Sequence, residues 1–176
     1  GITEYGNLKE LVKSYCFKNG QYSKQFVDYV PLIGSKSLVN NKEFIKLLKT
    51  SASDPIMQQI QESAYDSMYI DPAFNWCVAN KLINPLSKLV VADSYLQSGS
   101  IRHDIRNMFP EKISDEKAWI IAYCKARKSW LANHTRKILH NTVYRMEFML
   151  NLIEKADWSL TQSAYIANDV KIKTIN

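Results

Sequence analysis

The sequence predicts a mainly α-helical fold, and three observations carry that prediction. Only five Gly and five Pro occur in 176 residues, too few for a turn-rich β architecture and well suited to helices. Three prolines directly follow Asp or Asn, in Asp54-Pro55, Asp71-Pro72 and Asn84-Pro85. An N-cap side chain followed by a first-turn proline is a helix start. Between such starts, apolar residues recur three and four positions apart, the period of one helix face. The length suits one domain with a real core, spanning residues 1–176.

Leu8, Leu11, Val12 and Tyr15 have helical spacing, and their helix should stop before Asn19-Gly20. Ser23 to Ile33 reads as a short helix ending near Pro31, and Asn40-Asn41 then caps a helix from Lys42 to Thr50. The helix starting at Asp54-Pro55 carries Met57, Ile60, Ala64 and Met68 and is expected to reach Tyr69. Asp71-Pro72 should open the next, running to Leu82. Asn84-Pro85 should open a longer one that ends at Ser98-Gly99. A polar loop with Arg102, His103, Asp104 and Arg106 is expected up to Pro110. Ser114-Asp115-Glu116 begins a helix through Trp130 or beyond, and another should cover roughly Thr135 to Ala156. The tail from Asp157 to Asn176 alternates in character and reads as partly extended.

Composition narrows the function. Cys16, Cys77 and Cys124 are an odd number without CxxC pairing, and His103, His134 and His140 lack ligand spacing. Neither a disulfide framework nor a zinc site is expected, and no cofactor is implied. No apolar run approaches the ~20 residues of a membrane span, and no signal-peptide pattern is present. The formal charge of +6 favours polyanionic partners, among them nucleic acid, anionic lipid and the bacterial wall. Without an RGG tract, an RNP-like motif or a dense basic run, nucleic acid is not the expected partner.

The sharpest signal is three charges on apolar faces. Asp93 lies on the stripe Leu86, Leu89, Val90, Leu96; Arg127 sits among Trp119, Ile120, Tyr123, Cys124, Trp130 and Leu131; Arg145 falls among Ile138, Thr142, Phe148, Met149 and Leu152. Any one of these could reach solvent along its stem. Three on three separate stripes instead favour one shared network, with Asp93 bridging both arginines. One acid and two bases leave a positive surplus, so a second carboxylate beside them would be held ionised or tuned for chemistry. Tyr69 and Asp71 fall at a break between helices and are cleft candidates, as are Arg102 and His103 in the polar loop. Trp76 reads as core.

The stretch QESAYDSMYIDPAFNWCVANKLINPLSKLVVADSYLQSG resembles the middle of the family 46 glycoside hydrolases, the chitosanases, and their chitosanase-like, peptidoglycan-directed relatives. The resemblance is carried by D-x-x-Y-x-D-P-A at Asp66, Tyr69, Asp71, Pro72 and Ala73, and by Ala92-Asp93-Ser94 leading to Gly99. It continues in KARKSWL at 125–131, TVYR at 142–145 and the opening GIT…YGNLKELVKSY. It implies a lysozyme-like α+β fold, two helical lobes around a cleft with a small β element near the N-terminus. It also implies that Asp93, Arg127 and Arg145 form a buried network reaching the catalytic glutamate, the general acid. That glutamate comes from a helix upstream of the opening strand and is not in this sequence, so a separate N-terminal segment or chain is an expected partner. The second catalytic carboxylate corresponds to Asn7, whose amide is no general base but could orient a water. Glu4 is the nearby alternative carboxylate, and Thr3 falls with the substrate-binding residues of the same stretch.

The substrate implied is a β-1,4 amino-sugar polymer. Chitosan is a polycation and this chain is basic, with CFKNG after Tyr15 where chitosanases tend to place an acid. Anionic peptidoglycan is therefore the expected polymer, and a muramidase-like, phage-associated, secreted or wall-directed role is the first reading. A chitosanase is the alternative. A non-catalytic binding or structural protein that keeps the fold is the other.

Overall fold

The computed structural model describes residues 8–173 and divides into two compact units, Gly1–Met68 and Tyr69–Asn176. The opening stretch with Thr3, Glu4 and Asn7, including the small β element expected there, lies outside the described residues.

The first unit begins with α1 (Leu8–Phe17) and α2 (Ser23–Phe26), then 3-10 turns at Val30–Leu32 and Lys36–Leu38, then α3 (Lys42–Ser51) and α4 (Pro55–Tyr65). Two starts follow their local chemistry. The Asn41 side chain accepts the Phe44 N–H at 2.9 Å, and Asp54 accepts the Ile56 N–H at 2.9 Å. The single helix expected from Ser23 to Ile33 is instead α2 plus a 3-10 turn, because Pro31 has no N–H with which to continue α-helical bonding. Val12, Tyr15, Phe26, Leu38, Phe44 and Met57 form the core, with Phe26 edge-on to both Tyr15 (5.6 Å) and Phe44 (6.3 Å).

Tyr15 is fully buried yet tied at its hydroxyl. It donates to Asp54 Oδ2 at 2.5 Å and accepts the Tyr22 N–H at 2.9 Å, while burial pushes its own pKa up to about 12. Gly20 lies flat against this ring: a Cβ there would sit 2.0 Å from Tyr15 Cε2. The ring is pinned on both sides of its hydroxyl and cannot swing away. Gly20→Ala is therefore expected to destabilise by about 1–3 kcal/mol through overpacking. A urea midpoint equal to that of the parent would show the ring free to move.

Helix α4 stops its regular geometry at Tyr65, four residues short of expectation, and Asp66–Ile70 forms a π-helical turn. This turn runs straight into α5 (Asp71–Ala79), with Ile70 helical at φ −78°, ψ −50°. Asp71 is thus no N-cap at a break. Pro72 has no N–H to give the preceding turn, and wider π bonding just ahead of it accommodates the missing donor.

The second unit continues with α6 (Pro85–Ser98), α7 (His103–Arg106), α8 (Glu116–Ala132), a 3-10 segment Lys137–Thr142 and α9 (Tyr144–Glu154). An antiparallel hairpin follows, β1 (Ala164–Ala167) with β2 (Val170–Lys173), in the register Ala164↔Lys173. Its two-residue turn uses Asn168 and Asp169 at φ 48° and 62°, the left-handed pair that a tight hairpin requires. Within the tail expected to be partly extended, residues 164–173 are thus a hairpin.

Gly99 closes α6 at φ 76°, as expected, with its N–H on the Tyr95 carbonyl at 2.7 Å. The start of α6 differs. Asn84 occupies the cap position without a side-chain cap; Glu116, in the first turn of α8, takes the Asn84 N–H at 2.9 Å and the Ile83 N–H at 3.1 Å. The polar loop after Gly99 contains α7, and the helix expected from Thr135 to Ala156 splits in two. There the Thr142 hydroxyl bonds back to the Leu139 carbonyl at 2.7 Å, competing with regular helix bonding. The core of this unit includes Leu86, Val90, Trp119, Ile120, Leu131, Met146 and Leu152. Trp119 stacks on Tyr123 at 5.1 Å, and half-buried Trp76 packs against Trp119 at 5.7 Å. Among the described residues no helix is long and apolar enough to cross a membrane.

Candidate active site

Helices α6, α8 and α9 bring Asp93, Arg127 and Arg145 together inside the second unit. Asp93 shares the buried face of α6 with Leu86, Val90 and Ser94. Arg127 lies among Tyr123, Cys124 and Leu131 on α8, and Arg145 opens α9 one residue before buried Met146. The stripes are narrower than the sequence suggests. Leu96 and Ile138 are exposed, so the apolar faces turn away from them and toward the charges.

The two carboxylate oxygens of Asp93 are divided between the arginines. Oδ1 accepts Arg145 Nε at 2.7 Å and also pairs with Arg145 Nη2. Oδ2 lies 3.4 Å from Arg127 Nη2, an ion pair without a hydrogen bond. Burial alone would lower the pKa of the Arg145 guanidinium; the hydrogen bond and charge of Asp93 outweigh this and raise it.

Arg127 is held by more than charge. Its side chain is 1% exposed, and it donates to Ser94 Oγ, to Gln97 Oε1 at 2.5 Å and to the Asp93 carbonyl at 3.5 Å. Ser94 in turn accepts the Tyr123 hydroxyl at 2.9 Å and donates to the Val90 carbonyl at 3.0 Å. A charge removed from water survives only with such partners. The sequence reading missed Ser94 and Gln97, although Gln97 sits four positions after Asp93, where a helix presents a neighbour of the same face, and Ser94 is four after Val90 of the apolar stripe.

The network opens on one side. Arg145 and Asp93 line a groove of about 330 Å³ together with Leu89, Tyr144, Phe148 and Asn168. The Arg145 side chain is 27% exposed against 5% for Asp93. One carboxylate against two guanidiniums leaves net positive charge at the floor of a largely apolar groove. Such a floor would hold an added carboxylate through charge-assisted hydrogen bonds.

The remaining expected residues are not gathered there. Tyr69 lies half-buried within the π turn and Asp71 is exposed; neither lines this groove. Arg102 is bound by both oxygens of Asp104, at 2.9 and 2.6 Å, and faces a different pocket. His103 is exposed, with Nδ1 3.1 Å from the Asn107 amide. Cys77 and Cys124 are free thiols whose burial pushes them up to about 11 and about 12, values that leave neither as a thiolate nucleophile.

The family profile of glycosyl hydrolase family 46 matches residues 2–163. The fold is similar to that of a native chitosanase from Bacillus subtilis MY002, with a TM-score of 0.77 and 19% identity over 97% of this chain and 80% of that one. A family 46 chitosanase from Gynuella sunshinyii in complex with chitotetraose is similar at a TM-score of 0.74 and 16% identity, over 97% of this chain and 79% of that one. No curated protein sequence matches the chain.

Proposed function

Because the chain belongs to glycosyl hydrolase family 46, we propose that it hydrolyses β-1,4-linked amino-sugar polymers and that peptidoglycan is its preferred polymer. The observation that carries this reading is Arg145, anchored on buried Asp93 and open to a groove that suits one more carboxylate. Glycosidic cleavage needs a protonated acid at the leaving oxygen and, for inversion, a second group that positions water. In this reading the groove receives the general acid, the upstream glutamate of the family, and Arg145 sets its position and charge. Asn7 orients the water by hydrogen bonding, with Glu4 as the nearby carboxylate. Thr3, Tyr69, Asp71, Arg102 and His103 are proposed to contact the sugar chain.

The preference for peptidoglycan rests on charge. A chain carrying +6 concentrates on an anionic wall and is repelled by polycationic chitosan. Chitosan is the second reading, favoured by the chitosanases whose fold this chain shares. The test compares turbidity loss of purified peptidoglycan with reducing-end release from chitosan, using the native full-length protein. Faster peptidoglycan clearing is the expected result. Faster chitosan cleavage would establish the second reading, and degradation of neither polymer would leave a binding protein on a hydrolase fold.

A further inference from the structure

A second pocket in the same unit, of about 170 Å³, is lined by Gln97, Ser98, Arg102, Trp130, His134 and Arg136. We propose that it binds a small oxyanion, the carboxylate or phosphate substituent of an acidic polymer. Its volume lies below the ~300 Å³ at which ligand pockets begin to enclose whole drug-sized molecules, which suits a substituent. Its wall is built around the indole of Trp130. The Arg102 guanidinium lies over that ring at 4.8 Å, and His134 meets it edge-on at 4.4 Å. With the guanidinium on the ring, a sugar cannot stack on that face of the indole.

Several side chains around the pocket keep open donors. Asp104 occupies Nε and Nη2 of Arg102, leaving Nη1. The carbonyl oxygen of Gln97 is taken by Arg127, leaving its NH₂. His134 Nδ1 accepts the Arg136 N–H at 2.9 Å, which puts the proton of the neutral ring on Nε2. Arg136 is exposed, and none of the ion pairs among the described residues engages it. The ends of α6 and α8 nearby oppose an anion. A helix C-terminus presents only about half a unit of negative charge, whereas a hydrogen bond from a charged donor is roughly twice as strong as a neutral one. Several donors therefore outweigh two helix ends.

As a substrate contact this pocket rests on the wall-polymer reading, since peptidoglycan carries carboxylates and chitosan does not. Its binding is testable without catalysis. Titrations of the native protein followed by the Trp130 indole resonance would use N-acetylmuramic acid, inorganic phosphate and, as neutral control, N-acetylglucosamine. Saturable shifts with either anion and none with the control are expected, and the anion that acts identifies a carboxylate or a phosphate source. Arg136→Ala should weaken binding about tenfold, the equivalent of one charge-assisted hydrogen bond. Ser98→Asp, which puts a carboxylate into the pocket, should weaken it independently. Shifts that do not saturate, that appear equally with N-acetylglucosamine, or that survive both substitutions would overturn the site and leave the hydrolase reading untouched.

Discussion

Asp93→Asn is expected to destabilise the second unit by about 3–5 kcal/mol, the cost of leaving a buried charge without its partner. The substitution keeps the side chain's shape, so no cavity forms and the loss reports charge alone. The Asp93 side chain is 5% exposed and that of Arg127 1%, so water cannot take the place of the missing anion. The bonds of Arg127 to Ser94 and Gln97 are made to neutral groups and cannot replace it. An internal control is at hand. Asp104 and Arg102 form a better-aligned, two-bond pair at side-chain exposures of 47% and 41%, and Asp104→Asn should still cost only about 0–1 kcal/mol because solvent screens that pair. Adding Arg127→Met to Asp93→Asn should recover part of the loss, since a buried ion pair can be replaced by apolar groups of similar volume at little cost. Urea denaturation of the four proteins decides the matter. Equal losses for the two Asp→Asn variants would dissolve the proposed network.

What the sequence disclosed follows from where the physics is local. Asn41 and Asp54 cap their helices with side chains two or three residues from the groups they satisfy, so the pattern is visible in a short window. Asp93, Arg127 and Arg145 were visible for another reason. A charge on an apolar face is costly wherever its partner comes from, so the stripe reveals the need before the fold reveals the answer. The misreadings share the opposite property. Asn84 reads as its own cap, but the N–H groups there go to Glu116, more than thirty positions later. The π turn before Asp71 reflects a shift in backbone bonding that no side-chain period records. Leu96 and Ile138 fit the apolar spacing and are nonetheless exposed, because spacing gives the period of a face but not its width. The pocket around Trp130 joins side chains from α6, α8 and two loops, and Arg102 alone among them stood out as a binding candidate. Thr3, Glu4 and Asn7 lie outside the described residues, so their roles rest on resemblance.

Arg145→Lys is expected to lower kcat on the polymer that the native protein degrades by about two orders of magnitude, the scale on which one misplaced catalytic acid slows an enzyme. Stability should change far less than in Asp93→Asn, because Arg145 is partly exposed and Asp93 keeps its pair with Arg127. The reason lies in the guanidinium fork. Nε and Nη2 both engage Asp93 Oδ1, which fixes the plane of the guanidinium at the groove wall; in the proposed site that plane meets a second carboxylate at a fixed angle. An ammonium supplies the same charge as a point and cannot hold two carboxylates in one plane. Arg145→Gln separates position from charge. A nearby guanidinium favours the ionised form of a carboxyl group and so lowers its pKa. Removing that charge raises the pKa of the general acid, which then stays protonated to higher pH, and the alkaline limb of the kcat profile moves upward. In Arg145→Lys the charge remains, so the limb should stay in place while kcat falls. A residue that merely supported the fold would lower the amount of active protein and move neither limb. Full activity in both variants, or an unmoved alkaline limb in Arg145→Gln, would place the general acid somewhere other than the groove beside Asp93.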